Sequence, residues 1–203
     1  MKKKFVGFIA ALMVFLVSAP LAEASEPYVS LTGGMGFLTD SEVESGGVTI
    51  DDALEYNSGF VVNGAIGFDG GMYRVEAAVG YQRNGIDKVY SIPVPDDWDA
   101  NVSIWSFMAN GYLETEMEGA EVVPYLMAGI GMANVTYDDT FGSSDDSAFA
   151  YQFGAGVGVE VSENVMLDLG YRYFATADVN PDDLGMEFSI ASHNVLAGVR
   201  IGF

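Results

Sequence analysis

The chain has 203 residues, half of them hydrophobic, with 25 glycines and no cysteine; 29 acidic side chains against 8 basic ones give a formal net charge of −21. So acidic a protein repels nucleic acid, and the lack of thiols excludes a disulfide framework and thiolate metal sites. Apolar content and acidity are segregated along the chain: alternating stretches carry the first and their connections the second.

The chain opens with Met1-Lys2-Lys3-Lys4, an apolar run from Phe5 to Val17, and Ala22-Glu23-Ala24. A basic start, an apolar run short of the ~20 residues of a spanning helix, and a small-x-small site predict a secretory signal peptide cleaved after Ala24. Residues 25–203 are then the mature protein, a single domain with 5 basic and 28 acidic groups. No later run is long and apolar enough for a transmembrane helix.

Eight stretches read as strands, near 28–38, 58–68, 73–83, 102–116, 122–136, 148–161, 165–174 and 191–203. Most alternate with period two, as a strand with one lipid-facing side requires. In the third, Tyr73, Val75, Ala77, Val79 and Tyr81 oppose Arg74, Glu76, Ala78, Gly80 and Gln82. In the fourth, Trp105, Phe107, Ala109 and Leu113 oppose Ser106, Met108, Asn110, Tyr112 and Glu114. The fifth, around Pro124 to Gly131, is apolar on both phases and its faces stay unassigned. The sixth sets Tyr151, Phe153 and Val157 against Gln152, Gly154, Gly158 and Glu160, and the seventh sets Leu167, Leu169 and Tyr171 against Asp168, Gly170 and Arg172. In the eighth, Val195, Ala197, Val199, Ile201 and Phe203 form one face, with Asn194, Gly198 and Arg200 on the other.

Connection lengths alternate too. Asp69–Met72, Met117–Glu121 and Ser162–Asn164 are short, whereas 39–57, 84–101, 137–147 and 175–190 are long and hold 18 acidic groups. An outer-membrane barrel has short periplasmic turns and long extracellular loops, so the expected fold is all-β: an eight-stranded antiparallel up-and-down transmembrane β-barrel in the cell outer membrane. Aromatic residues at strand ends, Phe68, Tyr73, Tyr125 and Phe203 on one side and Phe60, Tyr81, Trp105, Tyr151 and Tyr173 on the other, fit interfacial girdles. A soluble exported barrel with its apolar face turned inward is the structural rival; the connection rhythm and terminal Phe203 favour the membrane.

The expected lumen charges are Arg74, Glu76, Glu114, Glu160, Asp168, Arg172 and Arg200. Near-balanced charges in a lumen just wide enough for side chains predict mutual pairing, a cross-strand Asp168–Arg200 pair among them, and a plugged interior. A narrow channel for small solutes is the alternative. Paired carboxylates at Asp51-Asp52, Asp96-Asp97, Asp138-Asp139, Asp145-Asp146 and Asp182-Asp183 could bridge divalent cations, but none has calcium-loop spacing, and solvated acidic loops suffice. No phosphate loop, metal-ligand cluster or nucleotide fingerprint appears, so no cofactor is expected.

Tyr28-Val29-Ser30, the Pro124-Tyr125-Leu126 to Gly131 stretch, Gly170-Tyr171-Arg172-Tyr173 and the segment His193 to Phe203 together resemble the small outer-membrane β-barrel proteins that include the OmpA-type transmembrane domain, OmpX and the opacity family. The resemblance implies a monomer embedded among outer-membrane lipids, with roles in envelope integrity, adhesion or small-solute permeation. It also implies that Val195, Ala197, Val199, Ile201 and Phe203 are the signal read by the barrel assembly machinery; Ile201 stands where such signals commonly have Tyr. An extracellular partner would meet the loops 39–57, 84–101, 137–147 and 175–190. A lipid A-modifying enzyme would need a serine beside a base. His193 is the only histidine, and Ser189-Ile190-Ala191-Ser192-His193-Asn194 lacks the His-x-Ser-Asn order of the deacylases, so no enzymatic activity is expected.

Overall fold

A computed structural model describes residues 25–39, 41–45, 48–89, 92–93, 101–115, 122–139, 142–177 and 189–203. The expected signal peptide, the connection 116–121, and the segments 94–100 and 178–188 of two long connections lie outside the described residues.

The strands are β1 (Glu26–Leu38), β2 (Ser41–Ser45), β3 (Val48–Tyr56), β4 (Gly59–Asp69), β5 (Tyr73–Val89), β6 (Ile92–Pro93), β7 (Asn101–Glu114), β8 (Val122–Asp139), β9 (Gly142–Ser162), β10 (Val165–Thr176) and β11 (Ala191–Gly202). Eight of them, β1, β4, β5, β7, β8, β9, β10 and β11, pair in that order, all antiparallel. The sheet closes where β1 meets β11, with Tyr28 opposite Gly202 and Leu38 opposite Ser192. Closure leaves the barrel strands without a free edge, the condition for a sheet to span lipid.

The outward rows are apolar and open to the surroundings, with Leu31 58% and Leu169 57% exposed. Exposed side chains of this kind would be a liability in water and are the lipid-facing band of a membrane barrel. In β8, whose sequence did not reveal its faces, Leu126, Ala128 and Ile130 point outward while Tyr125, Met127, Gly129 and Gly131 point inward. Tyr125 therefore lies inside the barrel and takes no part in a girdle. Gly156 and Gly170 leave the space for its ring: a Cβ at either would stand 2.5 and 2.6 Å from the Tyr125 hydroxyl oxygen.

Two expected loops are largely strand. Segment 39–57 contains β2 and β3, and β3 pairs with the far end of β5, Leu54 opposite Val89. Segment 137–147 continues the β8–β9 ladder to Asp139 opposite Gly142. Their Asp- and Ser-rich sequences lack apolar alternation because that pattern records a lipid or core boundary, whereas a ladder in water needs only backbone hydrogen bonds.

Candidate functional site

Inward residues of neighbouring strands meet in the lumen, and near the short-turn end they form an ionic cluster. Arg74 (β5) donates from Nε to Glu114 Oε1 (β7) at 2.9 Å, and its Nη2 forms an ion pair with the same oxygen at 2.9 Å. Arg74 Nη1 also lies 3.6 Å from Glu76 Oε2 and donates to the Tyr28 hydroxyl at 3.1 Å. Arg200 (β11) donates from Nη1 to Asp69 Oδ2 at 2.9 Å and to the shared Glu114 Oε1 at 3.2 Å. Glu76 accepts from Tyr28 (3.0 Å), Tyr112 (2.6 Å) and Asn110 (2.9 Å). Gln152 extends the chain by donating to Asn110 Oδ1.

The two guanidinium groups are held by rings as well as by carboxylates. Arg74 stacks 3.7 Å from the Tyr112 ring centroid and 5.3 Å from that of Tyr28. Arg74 and Arg200 are 3% and 4% exposed, so their charges are stabilised by this enclosure of anions and aromatic faces in place of water. Asp168 stands off: its Oδ2 is 3.8 Å from Arg200 Nε, and neither that nitrogen nor Asp168 Oδ1 has a hydrogen-bond partner among the described residues. The register explains the gap, because Arg200 lies opposite Met166 and Asp168 opposite Gly198, a diagonal arrangement.

Five of the seven expected lumen charges thus meet: Arg74, Glu76, Glu114, Asp168 and Arg200. Glu160 is exposed at the short-turn rim and, like Arg172, joins no ion pair among the described residues. Arg172 lies higher in the barrel, where three small cavities of about 20, 20 and 30 Å³ all touch it. Each has room for about one or two waters. Asp69 and Tyr28 belong to the cluster although sequence reading placed Asp69 in a turn and gave Tyr28 no lumenal role. Strand parity carries the signal for both: Asp69 continues the inward row Val61, Asn63, Ala65, Gly67, and Tyr28 alternates with outward Val29 and Leu31.

Toward the long-hairpin end the lumen changes character. Val102, Ile104, Met108, Ala133, Val135, Ala150, Phe174, Leu38 and Ile190 pack into a buried apolar cluster. Beside it, Gln82 Nε2 donates to Asn84 Oδ1 and Ser192 Oγ, both at 2.9 Å, and the Ser192 hydroxyl reaches Asn194 Oδ1 at 2.9 Å. Ser192 is completely buried inside, whereas His193 is exposed on the opposite face of β11, with Nδ1 2.5 Å from the Tyr171 hydroxyl. Alternation along the strand therefore separates the two side chains that a serine–histidine pair would need. Of the paired carboxylates, only Asp145 and Asp146 have described side chains, and no group of three metal-ligating side chains converges among the described residues.

A closed eight-stranded antiparallel barrel, apolar outside and charged within, defines the class of integral outer-membrane β-barrel proteins. The chain belongs to the outer membrane protein beta-barrel domain family, which matches residues 8–200. It is 36% identical over 89 residues to an uncharacterized protein of Brucella abortus, covering 37% of this chain and 31% of that one. It is 30% identical over 98 residues to outer membrane protein PagN of Salmonella typhimurium, covering 43% of this chain and 41% of that one. The matched region thus spans 31% and 41% of these two relatives. Among solved structures, Neisserial surface protein A superposes with a TM-score of 0.59 at 23% identity, over 87% of this chain and 97% of that one. The outer membrane protein AlkL superposes at 0.51 and 17% identity, over 88% and 90%. Its place is the outer membrane, surrounded by lipid.

Proposed function

We propose that this protein is a closed, non-enzymatic barrel with a structural and surface-interaction role, in envelope integrity or adhesion, exerted by the acidic strands and connections at its long-hairpin end. The observation that supports this reading is the make-up of the lumen among the described residues: an ionic cluster toward the short turns, an apolar cluster toward the long hairpins, and cavities of about 20, 20 and 30 Å³ that touch Arg172. A lumen so occupied serves the barrel's own stability and leaves interaction to the extracellular end. In the sequence, the four long connections hold the paired carboxylates, with Lys88 their only basic residue. In this reading Val195, Ala197, Val199, Ile201 and Phe203 form the face offered to the assembly machinery, an assignment supported by the outward, apolar run of that row. The barrel functions as a monomer.

A conducting path would have to join the three cavities at Arg172 and then cross the apolar cluster. Trimming the β8–β9 hairpin beyond Ala133–Ala148 and substituting Glu76→Gln in the lumen place the competing readings on separate variants. Loss of cell-surface binding or envelope robustness on trimming, with both retained by the folded Glu76→Gln barrel despite its lower stability, is the expected outcome. The opposite pattern would move function into the lumen.

A further inference from the structure

The outer surface of the barrel carries one arginine. Arg74, Arg172 and Arg200 face the lumen, whereas Arg83 continues the outward row Tyr73, Val75, Ala77, Val79, Tyr81 of β5 and is exposed. Its place along the strand fixes its height. Arg83 is ten residues beyond Tyr73; at about 3.4 Å per residue and ~40° of tilt this corresponds to roughly 26 Å along the membrane normal, the height of the apolar band of such barrels. Arg83 therefore stands where the band ends on the long-hairpin side, at the level of the outer-leaflet headgroups.

The side chains below it form a shelf. Tyr81 packs 5.7 Å from Phe60 and 4.8 Å from Trp105 between ring centroids, and the registers set Arg83 opposite Phe60 on one side and Ser103 on the other. Aromatic rings of this kind sit at the headgroup level. Among the described residues no carboxylate forms an ion pair with Arg83. An exposed arginine at this height, without an ion-pair partner among the described residues, has its guanidinium donors turned toward the lipid headgroup level. Among the described side chains, the other outward basic group, His193, differs: it is engaged by the Tyr171 hydroxyl and packed against the Tyr171 and Tyr173 rings.

We propose that Arg83, above the Phe60–Tyr81–Trp105 shelf, binds the phosphate group of a phosphorylated glycolipid in the outer leaflet. A guanidinium presents paired donors that match phosphate oxygens, and the bordering aromatic surface lowers the water content around the pair. Such a contact would offset the repulsion between the acidic extracellular end and anionic headgroups, and would set the barrel's depth. It rests on the outer-membrane location and is independent of what the lumen or the hairpins do.

The test is lipid retention. Detergent-purified barrel is mixed with a bisphosphorylated glucosamine-disaccharide lipid or its dephosphorylated form, and the lipid carried through gel filtration is quantified by mass spectrometry. Wild-type protein should retain at least fivefold more of the phosphorylated lipid, Arg83→Gln should abolish the preference, and Arg83→Lys should keep at least half of it. Heat-modifiable gel mobility verifies that all three are folded barrels. Equal retention of both lipids by the wild type, or an undiminished preference in Arg83→Gln, would overturn the proposal.

Discussion

Glu114 is the hinge of the ionic cluster, because one oxygen, Oε1, accepts from both Arg74 and Arg200. Removing it by Glu114→Gln leaves Arg74 with Glu76 and Arg200 with Asp69. The cost should therefore fall below the ~3–5 kcal/mol of a fully orphaned buried charge, at about 2 kcal/mol, measured by urea unfolding in lipid vesicles. Tyr28 is a neutral member of the same cluster, donating to Glu76 and accepting from Arg74. Tyr28→Phe keeps the ring and removes both bonds, with an expected loss of about 1–2 kcal/mol in the same assay. At Gly170 the constraint is space: Gly170→Ala drives a methyl group against the Tyr125 hydroxyl, and we expect about 1–3 kcal/mol of destabilisation from overpacking.

Along a strand, the two phases answer to different solvents. Leu169 of β10 faces lipid near mid-height, and its neighbour Gly170 faces the lumen. Leu169→Arg should cost about 2–4 kcal/mol in bilayers; a cost below 1 kcal/mol would mean that this face does not meet hydrocarbon. This two-solvent rule is what made the barrel legible in the sequence: Tyr73 to Gln82, Gln152 to Glu160 and Leu167 to Arg172 each announce both faces by alternation. It failed where the contrast disappears. In β8 both phases are apolar because the inward row packs against Met108 and Tyr112 and later joins the apolar cluster, so periodicity carried no sign. Beyond the bilayer neither phase is apolar, and strand 142–147 passed for loop. Of the charge cluster, Arg74, Glu76, Glu114 and Arg200 followed from parity alone, but Asp69 was hidden by its nearness to a turn. The standing apart of Arg172 and Glu160 depends on height in the barrel, which a single strand's sequence does not encode.

Across the whole molecule the lumen is built in two storeys. Buried charges with aromatic partners occupy the short-turn half, and Val102, Ile104, Val135 and Phe174 occupy the half nearer the long hairpins. On the proposed reading each would exclude ions differently: the lower by filling the bore with paired side chains, and the upper by offering an entering ion an apolar surface in place of its hydration. Breaching one should leave the other in place, which is why a single lumen substitution is expected to cost stability without opening a pore. The central claim, a closed barrel whose interactions belong to its extracellular end, is tested most directly by single-channel recording of the refolded wild-type protein in planar lipid bilayers. The account predicts insertion, verified by heat-modifiable mobility of the same preparation, with no stable conductance steps above the bare-membrane baseline. Reproducible, long-lived open levels from the folded monomer would contradict it.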